Sequence, residues 1–192
     1  MSVWSAWGQI DYQNIGDIMN EGKIFESNFR KSVPSDIFYL RLKDSATSFG
    51  QDSVATRFTL RNPYDILMFN GINLFCFELK STSGTSFSIQ FDKKDTSKMI
   101  KRHQIDGLTD AQRYDKVTAG FVFDFRNSKT WFMGIDNFNS FLSKTTKKSI
   151  NEKDVIDNGG IIIEKAKKIK NYKYDVNKLL WTLSEREWFL NE

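Results

Sequence analysis

The 192-residue chain contains very little cysteine or proline, with one Cys and two Pro. The single cysteine, Cys76, excludes a disulfide framework and fits a reducing compartment. The scarcity of proline and the lack of a low-complexity tract argue against long disordered segments. No apolar run is long enough to span a bilayer, and Met1 to Ile10 lacks the basic and apolar regions of a signal peptide. We therefore expect a cytoplasmic protein without membrane partners.

The composition is that of an ordinary globular protein, with 40% hydrophobic and 27% charged residues. This length is sufficient for one domain with a substantial core, and the 17 Phe residues favour aromatic layers within it. The net charge of +4 permits a polyanionic partner without requiring one. Residues 1–17 have the pattern of an irregular arm, and residues 18–192 that of the domain.

The apolar periodicity predicts an α/β fold in which a central mixed sheet is flanked by helices. Helices are predicted at 20–32, with Asn20 as N-cap, and at 97–115, 136–144, 153–157 and 175–190. Strands are predicted at 37–42, 64–69, 72–79, 87–91, 117–125, 130–135 and 161–163. The third and fourth of these helices are short, and Asp136 is the expected cap of the first short one. Strands that are apolar on both faces, such as 64–69, are expected to be covered on both sides.

The most informative feature is the Asn70-Gly71 dipeptide between two apolar runs, which is a strong signal for a hairpin. A two-residue turn there would pair Phe69 with Ile72, Leu67 with Leu74 and Asp65 with Cys76. Because side chains alternate between faces, Asp65 would then share a face with Glu78 and Lys80, with the two acids as diagonal neighbours.

Two carboxylates and an ammonium at the open end of a hairpin form a candidate site for a hard divalent cation. Taken singly, these residues have ordinary explanations: Asp65 could pair with Lys80, and Glu78 with Lys80 at a sheet edge. Charges confined to one face and one end of an apolar hairpin are costly unless a partner or a metal compensates them. The combination therefore favours a metal site.

The pattern Asp65-x12-Glu78-x-Lys80 resembles the PD-(D/E)XK nucleases, and further motifs resemble the RecU-type Holliday-junction resolvases. The helix acid Glu26, the strand 77–82, His103-Gln104-Ile105, the strand 120–123 and Lys147-Lys148-Ser149-Ile150 occur in the order of that family. The chain departs from the family between residues 44 and 61, where the long stalk is missing, and at Pro63, where the family has Thr.

The resemblance implies a single restriction-endonuclease-like domain with Mg²⁺, or alternatively Mn²⁺, as cofactor and no organic cofactor. It implies Asp65 and Glu78 as metal ligands, with the Leu79 carbonyl as a third, and Lys80 and Gln104 as catalytic residues. An ammonium beside two carboxylates is stabilised in its charged form, so we expect Lys80 to act electrostatically rather than as a general base. The resemblance adds Glu26 as a second-metal or water-mediated ligand, although Glu26 with Arg30 could be an ordinary helix pair. Gln104 could likewise be a plain exposed helix residue.

Basic residues cluster near 144–148 and 165–173 and are candidates for contacting DNA phosphates. The candidate DNA contacts are Lys147, Lys148, Lys165, Lys167, Lys168 and Lys170. The alternative is a solvated surface with no ligand. Contacts of this kind position a duplex without reading its sequence, so we expect recognition of DNA shape.

The resemblance implies a Mg²⁺-dependent, structure-specific DNA endonuclease that resolves four-way (Holliday) junctions in DNA recombination and repair. Two symmetric cuts require two sites, which a C2 homodimer supplies. Two alternatives stay open: a restriction-like or repair nuclease acting on duplex or nicked DNA, and a non-catalytic DNA-binding module with the same fold.

Overall fold

The computed structural model describes residues 12–42, 61–92, 94–169 and 171–190, with side chains from residue 21 to residue 185 within these ranges. Most of the predicted arm, residues 1–11, and the predicted DNA contact Lys170 lie outside the described residues. No helix in the described part of the chain has the length and apolarity needed to cross a membrane.

The helices are α1 (Tyr12–Ser32), α2 (Arg102–Gln112), α3 (Ile135–Lys144), α4 (Glu152–Asp157) and α5 (Val176–Leu190). The strands are β1 (Phe38–Arg41), β2 (Ile66–Phe69), β3 (Leu74–Thr82), β4 (Ser86–Ser88), β5 (Val117–Phe125), β6 (Thr130–Gly134), β7 (Ser149–Asn151), β8 (Ile161–Ile163), β9 (Lys165–Lys167) and β10 (Tyr172–Tyr174).

A six-stranded sheet in the order β1-β2-β3-β5-β6-β8 forms the centre of the protein. Strands β3 and β5 run parallel along nine paired positions, and the other neighbours in the sheet are antiparallel. The remaining strands form two small antiparallel pairs, β4 with β7 and β9 with β10. This arrangement confirms the predicted mixed sheet flanked by helices.

Apolar layers cover both faces of the sheet. On one face, which we call the α2 face, Phe121 and Phe123 of β5 pack with buried residues of α2 and α3. On the other, the α1 face, Phe75 and Phe77 of β3 pack with buried residues of α1 and α5. Covering on both sides explains why these strands are apolar on both faces and confirms that prediction.

The hairpin between β2 and β3 has a different register from the predicted one. Phe69 pairs with Leu74 and Leu67 with Cys76, so four residues rather than two form the loop. The Asn70 side chain causes the difference, because its Oδ1 accepts hydrogen bonds from the backbone N–H groups of both Ile72 and Asn73. The slip is by two residues, which leaves every side chain on its predicted face.

Several helix boundaries also differ from the predictions. Helix α1 begins at Tyr12, well before the predicted Asn20. Helix α2 begins at Arg102 because Ile100 is held in an isolated bridge to Ile89, and Gly134 rather than Asp136 is the N-cap of α3. The three short strands β7, β9 and β10 were not predicted from the sequence.

Candidate active site

Glu78 lies near the middle of β3 and points into the α2 face among apolar side chains. Its side chain is 2% exposed. Its Oε1 accepts hydrogen bonds from Lys80 Nζ at 2.7 Å and from Gln104 Nε2 at 2.5 Å. A buried carboxylate is tolerated only when charged or polar partners compensate its lost hydration, and here both partners are present.

Asp65 lies directly before β2, beside Glu78. Ile66 pairs with Phe77, so continuing the ladder by one residue places Asp65 opposite Glu78 rather than diagonal to it. The Asp65 carboxylate lies close enough to Glu78 to raise the pKa of Glu78. The predicted convergence of Asp65, Glu78 and Lys80 on one face is therefore present, and the acids are closer than the sequence predicted.

The backbone of Leu79 contributes to the same corner. Its N–H donates to Asp65 Oδ2 at 2.8 Å. In an extended strand the N–H and C=O of one residue point to the same side, so the Leu79 carbonyl also points toward Asp65, past the end of β2. Two carboxylates and one carbonyl are thus directed to one region.

The charge state of Glu78 depends on this crowding. Burial raises the pKa of Glu78 to about 8, with the neighbouring Asp65 carboxylate adding to the rise and Lys80 opposing it. A cation placed between the two acids would remove the repulsion and favour the ionised form of Glu78.

The donor set fits a hard divalent cation, because carboxylate and carbonyl oxygens are the ligands that Mg²⁺ prefers. In the described part of the chain, no group of three or more His, Cys, Asp or Glu side chains could hold a metal ion. Mg²⁺ commonly uses one or two carboxylates and keeps several waters, so Asp65, Glu78 and the Leu79 carbonyl are sufficient protein ligands.

Helix α2 brings Gln104 to the acids and is itself held in place there. Gln104 Oε1 accepts from the backbone N–H of Lys101, while Gln104 Nε2 donates to Glu78. One turn later, Gly107 meets the segment that leads into β2. A Cβ atom added at Gly107 would lie 2.4 Å from Pro63 Cβ and 2.9 Å from Pro63 Cα. This close approach holds α2, which carries Gln104, against the segment that leads from Pro63 to Asp65.

Glu26 forms an ion pair with Arg41, which in the sheet pairs with Ile66, the residue after Asp65. Glu26 lies on α1, whose neighbouring residues Phe25 and Phe29 pack on the α1 face, opposite Glu78 and Lys80. Its carboxylate forms an ion pair with Arg41 rather than with the alternative partner Arg30. Its assignment as a ligand stays a prediction.

The predicted DNA-binding lysines are in different environments. Lys165 Nζ bonds to the buried Asp124 Oδ1 at 2.8 Å and its side chain is 12% exposed, so it is poorly placed to contact a phosphate. Lys147 pairs with Asp154 at 2.6 Å but stays largely exposed. Lys148, Lys167 and Lys168 are exposed.

Cationic residues near the acids were missed by the sequence interpretation. These are Arg61 and Lys101, which act electrostatically on His103 in the first turn of α2, as does the predicted site residue Lys80. The available signal was the run Lys101-Arg102-His103 immediately before Gln104, which is more basic than its surroundings.

Comparison with known proteins shows a relative with clear sequence similarity. No protein-family model matches the chain. Among solved structures, the chain is similar to Hjc of Archaeoglobus fulgidus, a Holliday junction resolvase, with 15% identity over 77% of this chain and 92% of that one and a TM-score of 0.39. SPbeta prophage-derived uncharacterized protein YotM of Bacillus subtilis strain 168 is 33% identical over 182 residues, covering 88% of this chain and 89% of the relative. The chain belongs to the same family as YotM.

Proposed function

We propose that this protein is a divalent-metal-dependent DNA endonuclease with a restriction-endonuclease-like domain, and that its substrate is the four-way junction. The observation that carries the proposal is the shared corner in which Asp65, Glu78 and Lys80 meet, with Gln104 bonded to the buried acid. Each of these residues also matches the nuclease motif in the sequence.

In this proposal Asp65, Glu78 and the Leu79 carbonyl hold Mg²⁺ or Mn²⁺. When bound, the ion would polarise the phosphoryl oxygen and lower the pKa of a bound water. The protein supplies the fixed geometry: the Leu79 N–H orients Asp65, and Gln104 orients Glu78. Fixed second partners of this kind keep a ligand from rotating away from the ion.

Lys80 provides the positive charge beside the acids. Its Nζ lies 2.7 Å from Glu78 and its side chain is 15% exposed, so it is at the boundary between the buried acid and solvent. A preorganised ammonium there stabilises negative charge that develops on a phosphate oxygen without any reorganisation cost at the moment of reaction. Electrostatic stabilisation therefore suits Lys80 better than proton abstraction.

The junction specificity and the C2 homodimer follow from the sequence resemblance to RecU-type resolvases. A junction needs two coordinated cuts, and an isologous dimer presents two identical sites. The proposed cleavage would act in DNA recombination and repair in the cytoplasm.

A cleavage assay with matched variants tests the site. Purified wild type, Asp65→Asn and Glu78→Gln are incubated with a labelled four-way junction, with Mg²⁺ or with EDTA. We expect cutting by wild type in Mg²⁺ alone, loss of cutting in both variants and continued junction binding. Asp110→Asn, an exposed acid on the far end of α2, serves as the control and should cut normally. Cutting at the wild-type rate by either site variant would contradict the assignment.

A substrate panel tests the junction. Four-way, flap, nicked and linear duplex DNA are compared at equal concentration, and the mass of the protein in solution is measured alongside. Preferred symmetric cutting of the four-way junction by a dimer is the expected result. Preferred cutting of nicked or linear DNA would favour the repair or restriction-like alternative, and DNA binding without cutting would favour the non-catalytic module.

A further inference from the structure

The entrance to the acid corner carries a group of positive side chains that the metal chemistry does not use. Lys101 is the N-cap residue of α2, and His103 lies in the first turn of that helix. Gln104, next in the chain, bonds to Glu78, so this turn of α2 borders the site directly.

Arg61 approaches the same turn from another segment. Pro63, two residues later, lies against Gly107 so closely that no Cβ atom fits between them. This contact fixes Pro63 against the middle of α2, and Arg61 acts electrostatically on Lys101 and His103 at the start of that helix. Two separate parts of the chain therefore deliver cations to one place.

The electrostatics agree with this placement. Burial lowers the pKa of Lys101, and the nearby charges of Lys80 and Arg61 lower it further, against the opposing effect of Asp95. Burial lowers the pKa of His103 as well, as do its three cationic neighbours. Like charges gathered in this way repel one another, and a bound anion relieves that repulsion.

The acids near this group already have partners. Asp95 forms an ion pair with Lys98 at 3.1 Å and accepts hydrogen bonds from Ser97. Asp106 pairs with Arg102 at 2.9 Å. Among the described residues, no ion pair is formed by Arg61 or by Lys101, whose ammonium donates to the backbone carbonyl of Thr96.

The backbone at this helix start is occupied too. The Arg102 N–H donates to Gln90 Oε1 at 2.9 Å, and the Lys101 N–H donates to Gln104 Oε1 at 2.9 Å. An anion at this place would therefore be held by side chains rather than by the free N–H groups of a helix terminus.

We infer that Arg61 and Lys101, with His103 beside them, bind a DNA backbone phosphate next to the one that reacts at Asp65, Glu78 and Lys80. This inference rests on the proposed function for the identity of the polyanion. The cluster, which we call the entrance cluster (Arg61, Lys101 and His103), positions the strand by charge and reads no sequence.

The salt dependence of DNA binding measures how many phosphate contacts the entrance cluster makes, and it does so without requiring cleavage. Fluorescence anisotropy of a labelled four-way junction is recorded in EDTA over a series of NaCl concentrations for wild type, Arg61→Ala and Lys101→Ala. Each lost phosphate contact should reduce the slope of log K against log[NaCl] by about 1 and weaken binding roughly threefold at moderate salt.

Matched controls separate this effect from general loss of charge. Arg113→Ala removes one positive charge from the opposite end of the same helix, where the side chain is 77% exposed, and should leave the slope unchanged. Lys101→Arg should restore the wild-type slope, and thermal unfolding of each variant verifies that it is folded.

The outcomes distinguish this inference from the proposed function. Wild-type slopes in Arg61→Ala and Lys101→Ala, or an equal loss in Arg113→Ala, would overturn the entrance cluster even if the protein cuts junctions. Reduced slopes in those two variants, with Arg113→Ala normal, would support it even if no cleavage were found in Mg²⁺.

Discussion

The contact between Gly107 and Pro63 gives a sharp test of how the site is assembled. A Cβ atom added at Gly107 would meet Pro63 Cβ at 2.4 Å, Pro63 Cα at 2.9 Å and Pro63 O at 3.0 Å. Carbon atoms in favourable contact are about 3.5–4.0 Å apart, so Gly107→Ala requires a separation of at least about 1 Å. Two of the three atoms are backbone, and the chain must move rather than a flexible side chain.

The expected loss of stability is modest because two effects oppose each other. Overpacking of this kind costs about 1–3 kcal/mol, and replacing glycine by alanine within a helix returns about 1 kcal/mol. Gly22→Ala is the matched control, since it is also a helical glycine and no atom lies within 4 Å of its added Cβ. It should stabilise the protein by about 0.5–1 kcal/mol. Urea unfolding of both variants measures the difference.

The expected loss of activity is larger. Gln104 lies one turn before Gly107 and Asp65 two residues after Pro63, so the shift widens the corner in which the acids meet. Misplacement by about 1 Å costs on the order of a hundredfold in rate. We expect kcat to fall while KM for the junction changes little. Cleavage at the wild-type rate by a Gly107→Ala protein as stable as Gly22→Ala would refute this reasoning.

Three further predictions follow from the same geometry. In the metal-free protein, the raised pKa of Glu78, about 8, means that the native state binds more protons than the unfolded state, so the free energy of unfolding falls as pH rises from about 5 to about 8. The fall in unfolding free energy across this range should be up to about 4 kcal/mol in wild type and largely absent in Glu78→Gln, as measured by urea titrations at each pH. An unchanged pH dependence in Glu78→Gln would contradict the assignment of the proton to Glu78. Lys165→Ala should destabilise the protein by about 2–3 kcal/mol, because the buried Asp124 carboxylate keeps its hydroxyl donors Thr130 and Ser81 but loses its only ion-pair partner among the described residues. Lys167→Ala should change stability by less than about 0.5 kcal/mol in the same titration. Equal effects of the two substitutions would count against a structural ion pair. Gln104→Ala should lower the cleavage rate by about tenfold to a hundredfold because Glu78 loses an orienting donor; a rate within twofold of wild type would remove Gln104 from the site.

The sequence was sufficient to predict that the site residues share one face of the sheet. That prediction requires only that the hairpin register be correct to within an even number of residues, because side chains alternate between faces. The actual hairpin loop is two residues longer than the Asn-Gly signal indicated, since Asn70 holds two further backbone N–H groups with its side chain. A shift by two keeps Asp65, Glu78 and Lys80 on one face. A shift by one would have separated them.

The positions of Glu26 and Lys165 could not be predicted in the same way. Helical spacing identifies α1, but which face of the sheet it covers is decided by tertiary packing of Phe25 and Phe29. Lys165 belongs to a basic run in the sequence, yet it pairs with Asp124, which is 41 residues away. Local charge patterns contain no information about such distant partners.

The entrance cluster could be predicted from the sequence only in part. The basic run before Gln104 was visible in the sequence, but the approach of Arg61 depends on the Gly107–Pro63 contact between two segments. Nothing in the residues around Gly107 indicates that it packs against Pro63, because that contact is made only in the folded protein.

The central claim is that Asp65 and Glu78 hold one divalent ion between them. Titration with Mn²⁺, followed by electron paramagnetic resonance of the free ion, measures this directly in wild type, Asp65→Asn, Glu78→Gln and the control Asp110→Asn. The account predicts a site that is present in wild type and in Asp110→Asn and lost in both acid variants. Undiminished Mn²⁺ binding by Asp65→Asn or by Glu78→Gln would contradict it.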